Sequence, residues 1–214
     1  GVVVKVGPKV SGVSLGDEVF GDLFAYGFGA FAELVAAPAS ALTIKPSDLT
    51  FEQVATLPQA GALAWQSLHD EPGVRPGDRV LISGAGGGVG TFAVQLAAAA
   101  GAEVTGADRA AKEDLVRSLG ASHFIDFESQ DYTGTGESYD RIIDVPARRS
   151  VRAVRRALRP SGRYAVVGGR FPRILETAVL GKLIARRSDQ RTGIVAWRGN
   201  DAGVTRALIE SIRD

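Results

Sequence analysis

The chain has 214 residues, of which 45% are hydrophobic, and a formal net charge of +1, so it is long enough to bury a substantial core in one or two domains. The absence of cysteine excludes disulfides, thiolate zinc ligands and cysteine nucleophiles. Every apolar run is shorter than the roughly 18 residues that a membrane span requires, so we expect no membrane partner and a cytoplasmic protein.

The first sixty residues consist of short valine-rich segments separated by glycine and proline turns. This pattern is typical of a β-rich unit. Residues 1–6 read as a strand already in progress, and the chain contains no methionine. We therefore expect the sequence to be a piece of a longer chain. Thr50 is predicted to cap a short helix over residues 51–57, and a second helix is predicted after Pro58.

From Asp78 onward, predicted strands and helices alternate, which favours a parallel sheet with helices on both faces. The predicted fold class is therefore α/β, with a doubly wound parallel Rossmann sheet. Strands are predicted at residues 79–83, 103–107, 123–126, 140–144, 163–167 and 193–197. Helices are predicted at residues 88–100, 111–118, 149–158, 173–186 and 202–212.

A glycine-rich turn joins the first of these strands to the first of these helices. Residues 85–90 read Ala-x-Gly-x-x-Gly, the dinucleotide-binding fingerprint with alanine at its first position. Glycine lets the backbone approach a ligand closely, and the free amides at a helix start attract an anion. The turn is therefore predicted to hold a phosphate group.

The following predicted strand ends in Asp108, about 20 residues beyond the glycines, where a carboxylate can accept a hydrogen bond from a ribose hydroxyl. Asp108 favours NADH, because its charge repels the extra phosphate of NADPH. Arg109 and Lys112 favour NADPH, because they would attract that phosphate. The sequence leaves the preference between the two cofactors open.

Other proteins also use glycine-rich turns. A nucleoside-triphosphate P-loop is excluded, because Gly90 is followed by Thr91 and Phe92 rather than by Lys and Ser or Thr. No tyrosine has a lysine four residues later, which excludes the short-chain reductase pattern. A nucleoside-binding methyltransferase stays open, because it also places an acid at the end of its second strand.

Arginine is concentrated in residues 148–214. Six arginines lie at helical spacings: Arg148, Arg149, Arg152, Arg155, Arg156 and Arg159. Such a run most often forms a solvated helix face. The alternative, from a different functional class, is a module that binds nucleic acid or an acidic partner. The two histidines, His69 and His123, are expected to have packing or surface roles, so no metal site is predicted.

Several separated segments together resemble the zinc-independent, quinone-oxidoreductase-like branch of the medium-chain dehydrogenase/reductases. They are residues 16–21, 29–33, 57–61, 76–82 leading into the glycine turn, 119–121 and 125–127. The resemblance spans nearly the whole chain. It implies part of a β-rich GroES-like catalytic lobe at residues 1–61 and an NAD(P)-binding Rossmann domain at residues 62–214. The start of that lobe and the C-terminal end of the family's pattern are absent.

The resemblance also implies an activity: transfer of a hydride from NADPH or NADH to a quinone, an enone or a similar activated double bond of a small-molecule substrate, without a metal. The implied cofactor-binding residues are Ala85, Gly87, Gly88, Val89, Gly90, Asp108, Arg109, Lys112, Phe127, Val145, Val167, Gly168 and Gly169. The last four would lie beside the nicotinamide half of the cofactor. The catalytic residues are unknown, and the intact protein is expected to be a homodimer.

Three residues depart from the family's pattern. Leu63 stands where the family usually has threonine, Phe127 where tyrosine is common, and Ala147 where glycine is usual. Leu63 removes a hydroxyl contact to the cofactor. The resemblance therefore implies that the affinity or the pose of the cofactor differs in this chain.

Overall fold

The computed structural model describes residues 1–213, without the side chains at 182 and 185. The chain forms two compact units. Residues 63–196 form one, and residues 1–62 together with the segment from Trp197 form the other. The last segment of the chain therefore groups with the first sixty residues, whereas the family resemblance assigned it to the Rossmann domain. The assignment of residues 1–61 and 62–214 to two domains stays a prediction.

Within the described part of the first unit, regular strand consists of β1 (Val19–Phe20) and β2 (Thr43–Ile44), which pair antiparallel. Helix α1 (Phe51–Ala55) begins with a reciprocal capping box. The Thr50 hydroxyl accepts from the Gln53 amide at 3.2 Å, and the Thr50 amide donates to the Gln53 side chain at 2.9 Å. The predicted helix cap is therefore confirmed. A π-helical turn, Leu57–Gly61, follows.

The second unit contains a six-stranded parallel sheet. Its strands are β3 (Arg79–Ser83), β4 (Glu103–Asp108), β5 (His123–Asp126), β6 (Tyr139–Asp144), β7 (Leu158–Val166) and β8 (Arg191–Ile194). Their spatial order is β5-β4-β3-β6-β7-β8, the order of a doubly wound Rossmann sheet. The predicted fold class is confirmed. The strand order reverses between β3 and β6, and ligands of such sheets bind at the carboxyl ends of the strands near this point.

Helices connect the strands. They are α2 (Ala62–His69), which precedes the sheet, α3 (Gly88–Ala99), α4 (Glu113–Ser118), α5 (Val151–Arg156) and α6 (Phe171–Ala185). Helix α5 begins later than predicted because Ser150 caps it by accepting from the Ala153 amide at 3.2 Å.

The sheet has a hydrophobic core on each face, because successive residues of a strand point to opposite sides. Leu81 packs in the core that includes residues of α5 and α6. Its neighbours Val80 and Ile82 pack in the other core, with residues of α2, α3 and α4. All three are fully buried, and each such side chain contributes about 1.5 to 3 kcal/mol relative to exposure. Burial on both faces explains why β3 reads as a continuous apolar run.

Strand β7 differs most from its prediction, because it begins at Leu158 rather than at residue 163. Residues 159–162 lie between the predicted helix at 149–158 and the predicted strand at 163–167. In the structure Leu158 pairs with Tyr139, and the register of β6 and β7 then shifts before Arg141 pairs with Arg163. This irregularity accommodates Pro160 within the longer strand.

The last helix, α7 (Ala202–Arg213), belongs to the first unit. Leu208 is buried, with its Cδ1 3.2 Å from the place that a Cβ on Gly61 would occupy. The Arg213 guanidinium forms two hydrogen bonds of 2.8 Å with the Asp48 carboxylate. In the part of the chain that the structure describes, no helix is both long enough and apolar enough to cross a bilayer.

Candidate functional site

The glycine turn begins where β3 ends, at the reversal of strand order. Gly84 adopts a positive φ of 80°, a conformation that strongly favours glycine. Gly87 precedes α3 with extended backbone and provides no side-chain cap. Among residues 1–213, no acceptor is present for the amides of Gly88, Val89 and Gly90. Three free N–H groups at the start of a twelve-residue helix are donors that an anion could accept.

The turn packs so closely that a side chain at Gly90 would collide with backbone atoms, and one at Gly86 would collide with the Lys112 side chain. A Cβ on Gly90 would lie 2.1 Å from the Gly84 carbonyl oxygen and 2.7 Å from the backbone of Ala85. A Cβ on Gly86 would lie 2.5 Å from Cδ of Lys112. Helix α3 can therefore pack against the end of β3 only with glycine at position 90, whereas a side chain at position 86 would require Lys112 to move. The glycines keep the helix amides close to the open edge of the sheet.

Asp108 ends β4 next to this turn and is only 6% exposed. Its Oδ2 accepts from the Gly86 amide at 2.8 Å, and its Oδ1 accepts from the Arg109 amide at 2.8 Å. The Lys112 ammonium donates to the Gly86 carbonyl oxygen at 2.8 Å and lies 3.9 Å from Asp108 Oδ2. The carboxylate is thus hydrogen-bonded to the turn and compensated by a lysine, an arrangement that the sequence did not reveal.

The loop after β5 lies beside Asp108. The Phe127 amide donates to the Asp108 carbonyl oxygen at 3.1 Å. The Arg109 side chain is 64% exposed and forms an ion pair of 3.1 Å with Glu128, which is 61% exposed. Arg148, from the loop after β6, places its guanidinium carbon 4.3 Å from the centroid of the Phe127 ring. The sequence did not predict this contact, because it joins two distant loops.

The loops after β6 and β7 pack together at the same edge of the sheet. The Val145 amide donates to the Ser83 carbonyl oxygen at 3.1 Å, and the Val167 amide donates to the Asp144 carbonyl oxygen at 3.1 Å. A Cβ on Gly168 would lie 3.3 Å from the Val145 carbonyl oxygen. Gly169 has a φ of 132°. The predicted residues Val145 and 167–169 are thus brought together, close to the glycine turn.

A buried acid lies beneath these loops. Asp144 is fully buried at the end of β6, paired in register with Ser83. Its Oδ2 accepts from the Tyr164 hydroxyl at 3.0 Å and the Tyr132 hydroxyl at 3.5 Å. Burial raises the pKa of the Asp144 carboxyl above its ordinary value, although hydrogen bonds, first of all from Tyr164, oppose that shift. The sequence did not predict these two partners.

Asp144 also orients the loop that follows it. Its Oδ1 accepts from the Ala147 amide at 3.0 Å. Ala147 is fully buried and has a φ of 39°, which is uncommon for a residue with a Cβ. This is the position where the family has glycine, so the structure gives that departure a physical meaning: the alanine is held in a strained conformation.

The basic face predicted for residues 148–159 is partly neutralised. Arg149 forms an ion pair with Asp131, and Arg159 forms one with Asp140. Arg155 donates a hydrogen bond to the neutral side chain of Gln190, which leaves its charge uncompensated. Arg152 and Arg156 stay exposed, with no ion pair to any residue that the structure describes. Binding of nucleic acid or of an acidic partner stays an untested alternative.

Within residues 1–213, no group of three or more His, Asp or Glu side chains could hold a metal ion. Zinc independence likewise stays a prediction.

The strand order and the helices on both faces define a Rossmann-type protein. The family model of the zinc-binding dehydrogenases matches residues 88–210, more than half of the chain. The chain therefore belongs to this family, within the medium-chain dehydrogenase/reductases that the sequence resembled.

Individual relatives agree with this assignment. The pikromycin polyketide synthase component PikAII of Streptomyces venezuelae is 38% identical over 176 residues, which cover 78% of this chain and 5% of the relative. The 2-methylene-furan-3-one reductase of Solanum lycopersicum is 34% identical over 152 residues, covering 67% of this chain and 39% of the relative. The structure of the quinone oxidoreductase from Coxiella burnetii is 26% identical, with a TM-score of 0.83 over 100% of this chain and 66% of that one. The chain thus spans less than two thirds of each of these proteins.

Proposed function

We propose that this chain binds a reduced nicotinamide dinucleotide and is part of an oxidoreductase. The enzyme would transfer hydride from that cofactor to a quinone, an enone or another activated double bond. The observation that carries this proposal is the set of free amides at Gly88, Val89 and Gly90, at the switch point of a doubly wound sheet. The names of the tomato reductase and the Coxiella quinone oxidoreductase support the choice of substrate class.

The positions of the residues support this proposal for both halves of a dinucleotide. The amides after Gly87 would hold the pyrophosphate. Asp108, Arg109, Lys112 and Phe127 would surround the adenosine half, and Val145 with residues 167–169 would border the nicotinamide half. When bound, the cofactor supplies a hydride to an electrophilic carbon. The chain's own contribution is to position the two rings and exclude water, because the carbonyl of a conjugated acceptor takes up the developing charge itself.

We further propose that NADPH is preferred over NADH. Both Asp108 oxygens accept backbone hydrogen bonds, and Lys112 compensates the carboxylate charge. Asp108 is therefore poorly placed to repel an extra phosphate. Arg109 is exposed, and its ion pair with an equally exposed Glu128 is worth at most about 1 kcal/mol, so a phosphate can replace that partner.

We also propose that the intact protein is a homodimer, as the family resemblance implies.

Titration with NADPH and NADH, followed by calorimetry, tests the cofactor proposal directly. We expect saturable binding of one molecule per chain. Oxidation of NADPH, monitored at 340 nm, is then expected with quinone or enone acceptors in the full-length protein. Failure to bind either nucleotide at millimolar concentration would refute the proposed function. Binding without turnover of any acceptor would refute only the proposed reaction.

Arg109→Ala tests the cofactor preference. Loss of one charge-assisted contact to the extra phosphate is expected to weaken NADPH binding about tenfold, a change of about 1.4 kcal/mol. NADH binding should stay within twofold. Arg117→Ala is the matched control, because Arg117 is similarly exposed and pairs with Glu113 on α4 at 2.8 Å. Equal losses for NADPH and NADH in Arg109→Ala would contradict the preference.

A further inference from the structure

Arg148 and Phe127 bring a cation and an aromatic ring together above the carboxyl edge of the sheet. The two residues follow β6 and β5, which are separated by β4 and β3 in the sheet. The contact therefore extends past the ends of β4 and β3, where Asp108 and the glycine turn lie. Its separation of 4.3 Å is typical of a guanidinium stacked on a ring.

The two partners differ in how firmly they are held. Phe127 is half-buried, and its amide is bonded to the Asp108 carbonyl oxygen. Arg148 lies between two fixed backbone positions, the buried Ala147 and the helix cap Ser150. Its side chain is exposed and has no carboxylate partner among residues 1–213. The guanidinium can thus move away from the ring without breaking an ion pair.

We propose that Arg148 and Phe127 form a closed stack that opens to take the adenine ring of the dinucleotide between them. This inference rests on the proposed function. Phe127 borders Asp108, the residue assigned to the ribose of the adenosine half. The base attached to that ribose is adenine, so adenine is the ring of the cofactor that would lie next to Phe127. A planar guanidinium and a phenyl ring both stack on a purine face, and neither requires a hydrogen-bonding edge. Phe127 is suited to this role without the hydroxyl of the family's more common tyrosine.

The stack makes a prediction about ligands that lack adenine. Arg148→Ala is expected to weaken NADPH binding roughly 10- to 100-fold, the range for loss of one base-stacking partner. Binding of reduced nicotinamide mononucleotide, which has no adenosine, should stay within twofold. Arg148→Lys should remain nearly as weak as Arg148→Ala, because an ammonium keeps the charge but not the plane. Phe127→Leu should show the same selective loss.

The matched control is Arg152→Ala, which removes an equal charge from an exposed position on α5 and should leave both affinities within twofold. Dissociation constants from fluorescence titration provide the measurement, and thermal unfolding checks that each variant stays folded. Full recovery in Arg148→Lys would overturn the stack in favour of a simple phosphate contact. An unchanged NADPH affinity in Arg148→Ala would overturn it as well. If the unmodified protein binds no NADPH, the proposed function fails first, which is a different result.

Discussion

Gly90→Ala is expected to destabilise the protein by about 2 kcal/mol and to abolish dinucleotide binding. The new Cβ would lie 2.1 Å from the Gly84 carbonyl oxygen and 2.7 Å from the Ala85 backbone. Because the neighbouring atoms belong to the backbone, α3 must shift away from β3. Overpacking of this kind costs about 3 kcal/mol, which exceeds the gain of about 1 kcal/mol from replacing a helical glycine. The shift also displaces the amides that would hold the pyrophosphate.

Thermal unfolding and nucleotide titration measure the two effects. A loss of about 2 kcal/mol corresponds to a fall in Tm of about 4 to 8 °C for a chain of this size. Gly134→Ala is the control, because a Cβ on Gly134 would meet no atom within 4 Å; its effect should stay within about 0.5 kcal/mol. A Gly90→Ala protein with unchanged Tm and unchanged affinity would contradict the packing described for the turn.

Arg141→Leu is expected to destabilise the protein by about 3 to 5 kcal/mol, the cost of breaking a buried charged network. Arg141 lies on β6 and is only 3% exposed. Its guanidinium donates to the carbonyl oxygens of Ser67 at 2.7 Å, Asp70 at 3.0 Å and Pro72. Burial lowers the pKa of Arg141, but the three acceptors hold the charged form. Leucine would leave all three carbonyl groups without that donor.

Urea unfolding measures the change in the free energy of unfolding, provided that the slope of this free energy against urea concentration is the same in each variant. Arg163→Leu is the matched control, because Arg163 is the neighbour of Arg141 on β7 and forms an ion pair of 3.5 Å with the exposed Asp70 carboxylate. Loss of that surface pair should cost no more than about 1 kcal/mol. Arg141→Lys should recover only part of the stability, because an ammonium cannot match the fork of donors. Equal losses in the two leucine variants would show that the buried network contributes little.

Much of the second unit was predictable because its signals are local. The strands that are buried on both faces read as apolar runs, and glycine or proline marks their ends. The predicted limits of β3 and β5 match the structure, and those of β4 and β6 differ at one end only. Where a signal was ambiguous the prediction was less accurate. The start of β7 was predicted at residue 163, yet pairing with β6 draws Leu158 into the strand.

The candidate site was predictable residue by residue, but not contact by contact. The glycine turn and Asp108 are recognised from their spacing along the chain. The hydrogen bond from the Gly86 amide to Asp108 and the stack of Arg148 on Phe127 join separate loops. Tyr132 and Tyr164 meet at Asp144 for the same reason. No periodicity or motif encodes which side chains face each other across such loops.

By itself the sequence determined the α/β class, the position of the glycine turn and the residues at the carboxyl ends of the strands, because these depend on burial patterns and glycine at short range. Only the tertiary structure decided that the charge of Asp108 is compensated by Lys112 and that the buried Arg141 donates hydrogen bonds to three carbonyl oxygens. It also decided that the segment from Trp197 groups with the first sixty residues. These features depend on pairings between residues far apart in the chain. Such pairings are selected by the closure and packing of the whole fold, which no local pattern records.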